Sequence, residues 1–477
     1  MKKIRFVVPV SVAVSAGAAS LLAVACWSYS DPGALAGAAP DSSSGSLRGG
    51  ADSSGNAGAA SGPDVAVAPT VEAPGGSEVI NPALPLNPGS GGSTGAPSGS
   101  MGANPNEPSG AGGSPGAAGS PGSAGASGEN PSVLVTPCEV LAAAGNPCVA
   151  AHSTVRVVFG GYGGPLYQVC RGAAAAGPNS CPGGMTRDIG SVADGYADAA
   201  AQDAFCAGGS CTISTIYDQS PNGNHLRPAP AGGAKGSPDN PANATDLKTT
   251  LGGHAVYGVL IKAGIGYRAG CNGCGTAAPK GIAINDEPET QYMVTSRNNL
   301  VNGCCFDYGN AETDSRDDGN GTMETVYFGG GVVWGTGSPG GHNNGPWVMA
   351  DLENGLYAGW ENNQDQNIST NTPLQFPFVT AVVVGDTAAQ NGGKGRFALY
   401  GGDATNGALK TLYDGTRPAK NGYVPMRKQG SIILGIGGDN SNGAGGQFFE
   451  GVMTSGAATL ATLDALQANI VAAGYGK

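Results

Sequence analysis

Cysteine constrains this chain more than any other residue type. Of 11 cysteines, one stands at Cys26 and the other ten lie between Cys138 and Cys305. An even set suits a disulfide framework in an oxidising compartment. Cys138 with Cys148, Cys170 with Cys181, and Cys206 with Cys211 bracket short intervals. Cys271 and Cys274 form a C-x-x-C inside "RAGCNGCGT". No second C-x-x-C completes a zinc set, so a small structural loop is the expected role. If those four pairs form, Cys304 and Cys305 of "NGCCFDYGN" are left with each other. Connectivity is not fixed by spacing. Adjacent cysteines are also awkward partners, since a trans peptide holds their Cα atoms about 3.8 Å apart. An ordinary disulfide wants roughly 4.4–6.8 Å. Bonding elsewhere, a metal, or a strained ring between the two all stay open at this point.

Composition divides the chain before it reaches those pairs. The opening "MKKIRFVVPVSVAVSAGAASLLAVAC" has Lys2, Lys3 and Arg5 ahead of an apolar run, and residues 1–25 read as an export signal. In "LAVAC" a Cys follows a small residue where cleavage would fall, so Cys26 is expected to be lipidated, with a plain secretory signal as the alternative. Residues 26–131 are dominated by Gly, Ser, Ala and Pro and bury too little to offset chain entropy; they read as a flexible tether. Aromatic and β-branched residues concentrate in 132–477, the expected folded domain. A net charge of −12 argues against nucleic acid or an anionic membrane as partner. Membrane contact is expected only through a lipid on Cys26. The protein is expected to be exported, as a cell-surface lipoprotein or in free form, and to be a monomer.

Within 132–477, short strand-like runs alternate with Gly, Asn and Asp clusters. They include "STVRVVFGG", "CTISTIYDQ", "HAVYGVLI", "QYMVTS", "METVYFGG", "PWVMADLENGLYAGW", "FVTAVVVG", "RFALYGG", "SIILGIGG" and "QFFEGVMTSG". Two stretches read as helical, 191–208 and 459–476. Many strands and few helices predict a mainly β fold: an antiparallel, disulfide-stabilised β-sandwich of the jelly-roll or concanavalin-like kind.

Several chemistries drop out. Residues 132–477 hold no G-x-S-x-G, no H-E-x-x-H and no phosphate-binding G-x-x-x-x-G-K-[ST]. "DSRDDGNG" (314–321) hints at calcium, but Arg316 stands where a ligand should alternate, so a solvated acidic loop is the reading. No metal or cofactor is expected. "PWVMADLENG" is more informative. Extended, it puts Val348, Ala350 and Leu352 on one face and Trp347, Met349, Asp351 and Glu353 on the other. Two acids so close repel, and one should have a raised pKa. A polar outer strand face is the plainer reading. "SIILGIGGDNSNG" runs a strand into Gly437, Gly438 and Asp439, either a functional acid on a glycine bend or the start of an Asn/Gly turn. Glycoside hydrolysis needs two carboxyls flanking the scissile bond, and Glu353 and Asp439 come from different strands.

"NGCCFDYGNAETDSRDDGNGTMETVYFGGGVVWGTGS", "GPWVMADLENGLYAG", "SIILGIGGDNSNGAGGQFFEGVMTSG", "NPCVAAHSTVRVVF", "AAAQDAFCAGGSC" and "TISTIYDQSPNGNHL" closely resemble the catalytic domain of family 54 glycoside hydrolases, the α-L-arabinofuranosidase B type. The likeness runs from about Cys138 to Lys477. It implies a β-sandwich enzyme that cleaves terminal α-L-arabinofuranosyl groups of arabinan or arabinoxylan with retention. The matching motifs imply Glu353 as nucleophile and Asp439 as acid/base. They imply sugar contacts from Asp351, Asn354, Trp334 and Gly438, and a Cys304–Cys305 disulfide lining the pocket. Donors are then expected to hold the Glu353 pKa low. A non-catalytic carbohydrate-binding surface protein is the alternative. Family members commonly add a C-terminal arabinose-binding β-trefoil, which is expected to be absent after "ANIVAAGYGK". The Cys170–Cys181 and Cys271/Cys274 loops and "SPGGHNNG" (338–345) look extra to the pattern.

Overall fold

Val379–Gly385 ("VTAVVVG") is apolar or β-branched at nearly every position, as suits a central strand covered on both faces, and it is buried throughout. It belongs to the first of two large antiparallel sheets in a computed structural model that describes residues 135–275, 277–330, 345–360 and 370–477. That sheet runs, in spatial order, Cys148–Ser153, Gly446–Ser455, Glu289–Thr295, Val379–Gly385, Phe397–Asp403 and Lys410–Gly415, with Val259–Ile261 also on Gly446–Ser455. The second runs Leu356–Tyr357, Trp347–Asp351, Glu324–Gly329, Asp307–Ala311, Ser431–Leu434, Tyr267–Ala269 and Arg227–Pro228. The fold is thus a mainly β, antiparallel sandwich. The leader, Cys26, the tether and Trp334 lie outside the described residues.

Alternation on the second sheet sorts side chains into two layers. Val326, Phe328, Val348, Ala350 and Leu352 enter the large core shared with the first sheet. Tyr327, Trp347, Met349, Leu356 and Ala358 form a separate apolar layer on the opposite face. That face is therefore no solvent face: Trp347 and Met349 are fully buried.

The inner layer also carries hydrogen-bonded polar groups. His152 Nε2 meets the Asn224 carbonyl at 2.9 Å, and Nδ1 meets the Tyr308 hydroxyl at 2.9 Å. A carbonyl only accepts, so Nε2 carries the proton and Nδ1 accepts from Tyr308. Burial lowers the His152 pKa and keeps the ring neutral. Nearby, Lys428 Nζ lies 3.1 Å from Glu289 and 2.9 Å from Glu324. Asn310 donates to both Glu289 oxygens. Burial pushes Glu289 up to about 7 against the pull of Lys428.

The cysteines bond as Cys138–Cys148, Cys170–Cys181, Cys206–Cys211, Cys271–Cys274 and Cys304–Cys305. The Cys304–Cys305 peptide is cis, which brings the Cα atoms to 3.0 Å.

Three local expectations need correcting. "STVRVVFGG" is not a strand; pairing ends at Ser153, whose hydroxyl accepts from the Val155 and Arg156 amides and turns the chain. The helix expected over 191–208 covers Ala199–Cys206, because Gly195 turns the chain first and Asp198 caps the start. A short helix, Pro137–Ala143, was not expected; Thr136 and Glu139 cap it reciprocally. The C-terminal helix is Leu460–Ala473, opened by Thr459 and closed by left-handed Gly474.

Candidate active site

Three segments of the second sheet end at one place. The first is the hairpin after Trp347–Asp351. The strand stops at Asp351, and Leu352 N donates to Gly355 O at 3.0 Å across a two-residue turn. Glu353 (φ 60°) and Asn354 (φ 53°) occupy the turn, both left-handed as a tight hairpin requires. Glu353 therefore does not continue the strand alternation; it stands at the hairpin tip. Asn tolerates this backbone, while a Glu held there carries strain on the order of 1 kcal/mol, of the kind found at functional sites. The turn is tied down around it. Tyr423 donates to Glu353 O at 2.8 Å, Glu353 N to Asp351 Oδ1 at 3.3 Å, and Asn354 Nδ2 to Asp317 Oδ1 at 2.9 Å.

The second segment follows Ser431–Leu434. Asn440 N donates to Gly437 O (3.1 Å) and Gly437 N to Ser441 O (2.9 Å), which makes a turn with Asp439 near its apex. Asp439 Oδ1 accepts from Ser441 N at 2.9 Å. The turn reading of Asp439 is met, and the residue is partly exposed on a braced loop. The brace is Asp239, which accepts from Asn440 Nδ2 at 3.0 Å, from Asn442 Nδ2, and from Lys235 at 3.1 Å. Gly438 has no room for a side chain. A Cβ there would stand 2.0 Å from Glu312 Oε2 and 2.8 Å from Glu353 Oε2. The residue just before Asp439 thus abuts the Glu353 carboxyl.

The third segment is the Cys304–Cys305 ring. Ser441 Oγ lies 2.9 Å from Cys304 Sγ, and Cys305 Sγ lies 3.5 Å from Asp351 Oδ2. A Cβ on Gly437 would meet both sulfurs, at 3.1 and 3.4 Å. The ring therefore packs a weakly polar wall beside Asp351 and the Asp439 loop.

The electrostatics are lopsided. Asp307, Glu312, Asp351 and Glu353 are all buried. Burial comes first in raising each pKa, and neighbouring acids add to it at Asp307, Asp351 and Glu353. Asp351 rises to about 7 and Glu312 to about 7. Asp307 is driven well up by burial and by Asp351, and Glu353 by burial, Glu312 and Asp351. The expectation that donors hold Glu353 low is not met; its carboxyl meets another acid, because the hairpin tip turns it toward Glu312. Arg268 is the buried cation facing these acids, and desolvation lowers it to about 10. Its Nη2 binds the Glu312 backbone carbonyl at 2.6 Å.

Glu353, Asp351, Gly438, Asp439, Cys304 and Cys305 are thus brought together, with Asn354 at the rim of the hairpin. Asp307, Glu312 and Arg268 were not singled out from sequence. Asp307 sat inside the quoted "CCFDYGN", and Glu312 preceded an acidic run that read as solvated. Two surface clefts of about 470 and 510 Å³ around Trp360 and Thr416 are lined by none of these acids. The converging carboxyls suit acid, base or nucleophilic work on a neutral, hydroxyl-rich ligand.

The family model described as "Alpha-L-arabinofuranosidase B, catalytic" matches residues 137–476. A probable α-L-arabinofuranosidase B of Aspergillus fumigatus is 50% identical over 348 residues, 72% of this chain and 63% of that protein. An arabinofuranosidase/β-xylosidase of Trichoderma koningii is 49% identical over 347 residues, again 72% and 63%. This chain thus spans 63% of the length of these curated relatives. Among solved structures, an arabinofuranosidase complexed with arabinofuranosyl-α-1,2-xylobiose is similar at TM-score 0.63 and 43% identity, over 72% of this chain and 66% of that one.

Proposed function

This chain belongs to the α-L-arabinofuranosidase B catalytic family, and from that premise we propose that it is a retaining, exo-acting glycoside hydrolase. It releases terminal non-reducing α-L-arabinofuranosyl groups from arabinan or arabinoxylan side chains. The observation that carries the reading is the meeting of two turns: Glu353 on a left-handed hairpin tip and Gly438-Asp439 on a braced loop, in contact through Gly438. Retention needs two carboxyls about 5–5.5 Å apart, one on each side of the scissile bond.

In this scheme ionised Glu353 attacks the anomeric carbon while the bond to the leaving oxygen breaks. Asp439 gives that oxygen its proton. Water then attacks the glycosyl ester, Asp439 takes the proton back, and Glu353 is released. Asp351 and Asn354 take sugar hydroxyls, and the Cys304–Cys305 ring offers the furanose a flat, weakly polar face. Five disulfides suit work outside the reducing cytosol.

The test is hydrolysis of a chromogenic α-L-arabinofuranoside by wild type, Glu353→Gln and Asp439→Asn. The first substitution should remove about four orders of magnitude of kcat, and the second about two to four. Inactive wild type, or full activity in Glu353→Gln, would sink the reading and favour a binding module.

A further inference from the structure

Glu312 is an acid that this scheme does not use. It follows Asp307–Ala311 directly and is fully buried. No ion pair holds its carboxyl among the described residues; Arg268 uses Nη2 on the Glu312 backbone carbonyl and Nε on Ser431 Oγ. Glu312 Oε1 lies 2.5 Å from Thr322 Oγ1, which lies 2.7 Å from Gly319 O. A hydroxyl has one proton, and a carbonyl oxygen only accepts. Thr322 Oγ1 is placed to donate to either oxygen; when Gly319 takes its proton, the short contact to Oε1 is a hydrogen bond only if Oε1 carries the proton that Thr322 accepts. The other oxygen, Oε2, is buried, and the group there that could donate to it is the Glu353 carboxyl. It faces Glu353: the two Oε2 atoms lie 2.0 and 2.8 Å from the point a Cβ on Gly438 would take. Two ionised carboxylates in that space would repel strongly.

We propose that Glu312 is the neutral member of this acid pair, holding its proton on Oε1 against Thr322 and leaving the charge to Glu353. It is a positioning residue that acts through Glu353, and the inference rests on reading Glu353 as the nucleophile. No proton passes between the two: Glu312 keeps its own while the Glu353 ester forms and while it breaks. Asp351, Asp439, Asp317 and Arg268 also face the pair. With three acids already there, an ionised Glu312 would add a charge that Arg268 does not bond. Burial pushes both carboxyls up, Glu312 to about 7 and Glu353 well above its ordinary range, so the Thr322 geometry and not burial assigns the proton.

Glu312→Gln tests this, because it reproduces the neutral acid: the amide donates to Thr322 and the carbonyl oxygen faces Glu353. The measurement is kcat and KM for a chromogenic α-L-arabinofuranoside across the pH range, with thermal melting alongside. Glu312→Gln should keep kcat/KM within about fivefold, with its alkaline limb at the same pH or higher. Glu312→Leu should lose about a hundredfold, in kcat more than in KM. The idea is overturned if Glu312→Gln falls as far as Glu312→Leu, since the charge would then be required. It is equally overturned if Glu312→Leu stays within fivefold of wild type. Should Glu312→Leu fail to fold, Thr322→Val replaces it. A loss of about three- to tenfold in kcat supports the relay, and unchanged kcat and pH profile overturn it. Inactive wild type overturns this inference and the proposed function together. Active wild type with the wrong Glu312 pattern overturns the inference alone.

Discussion

The strands Asp307–Ala311 and Glu324–Gly329 have buried acids on both of their faces, and the two faces treat them differently. On the inner face, Glu324 and its neighbour Glu289 share Lys428, and Asn310 donates to Glu289. On the outer face, Asp307 is grouped with Asp351, Glu312 and Glu353, and the cation facing them, Arg268, bonds a backbone carbonyl instead of a carboxylate. The inner acids are compensated and hold the two sheets together. Among the described residues the outer acids have no directly bonded cation; desolvation raises acids on both faces, Glu289 among them. Buried acid is thus bonded directly to a cation in the scaffold, and at the candidate site it faces one that bonds a backbone carbonyl instead.

The sharpest way to break this contrast is to remove the inner cation. Lys428→Met should lower the unfolding free energy by about 3–5 kcal/mol, read from urea denaturation. Asp307→Asn on the outer face should change it by no more than about 1 kcal/mol, and in the stabilising direction. A Lys428→Met loss under about 1 kcal/mol would mean the inner cluster is not structural.

Acidity offers a second route. Glu312, Asp351 and Glu289 have pKa values raised to about 7 in the folded state. The folded protein therefore binds these protons more tightly than the unfolded chain. Stability is full below the ordinary carboxyl range, near about 4, and is lost as pH rises toward about 7. Each group contributes on the order of 1–3 kcal/mol to that fall. Urea midpoints measured across this window should decline with pH, and Glu312→Gln should flatten the slope. A midpoint that rises with pH there contradicts the assigned directions.

The disulfides repeat the contrast on a smaller scale. Cys170–Cys181 closes a loop of sequence separation 11, so its removal should cost about 2–3 kcal/mol of stability and leave KM alone. Cys304–Cys305 closes no chain loop, so replacing both by Ala should raise KM about tenfold with little change in melting. Comparable losses in melting and KM would make the ring ordinary scaffolding. The smallest effect is expected from Asp317→Ala. It removes the exposed partner of Asn354, and KM should rise about two- to threefold.

Much of the sandwich was legible because a strand's period of two survives in "PWVMADL", and an unbroken apolar, β-branched run marks "FVTAVVVG". Asp351, Glu353 and Asp439 were legible as acids in unusual company. The hairpin tip was harder. "ENG" carries an Asn-Gly turn signal, but the alternation preceding it invited one more extended residue. Asp307 and Glu312 could not be separated from solvated acids, because their burial is set by strands distant in sequence. The Pro137–Ala143 helix was signalled by Thr136 and Glu139 at capping spacing, in a segment too short to show a period.

Tyr308 and Asp307 are neighbours on one strand and point to opposite faces, which has a consequence for how the sheet assembles. A slip of one residue along Asp307–Ala311 would exchange them. Asp307 would then take the place of the Tyr308 hydroxyl beside His152 Nδ1, and the ring contacts of Tyr308 with His152 and Phe448 would be lost. The phenol would be forced in among the acids. Misregistered pairing is thus penalised at the buried imidazole, well away from any turn. The His152–Tyr308 contact favours the register that keeps Asp307 on the outer face.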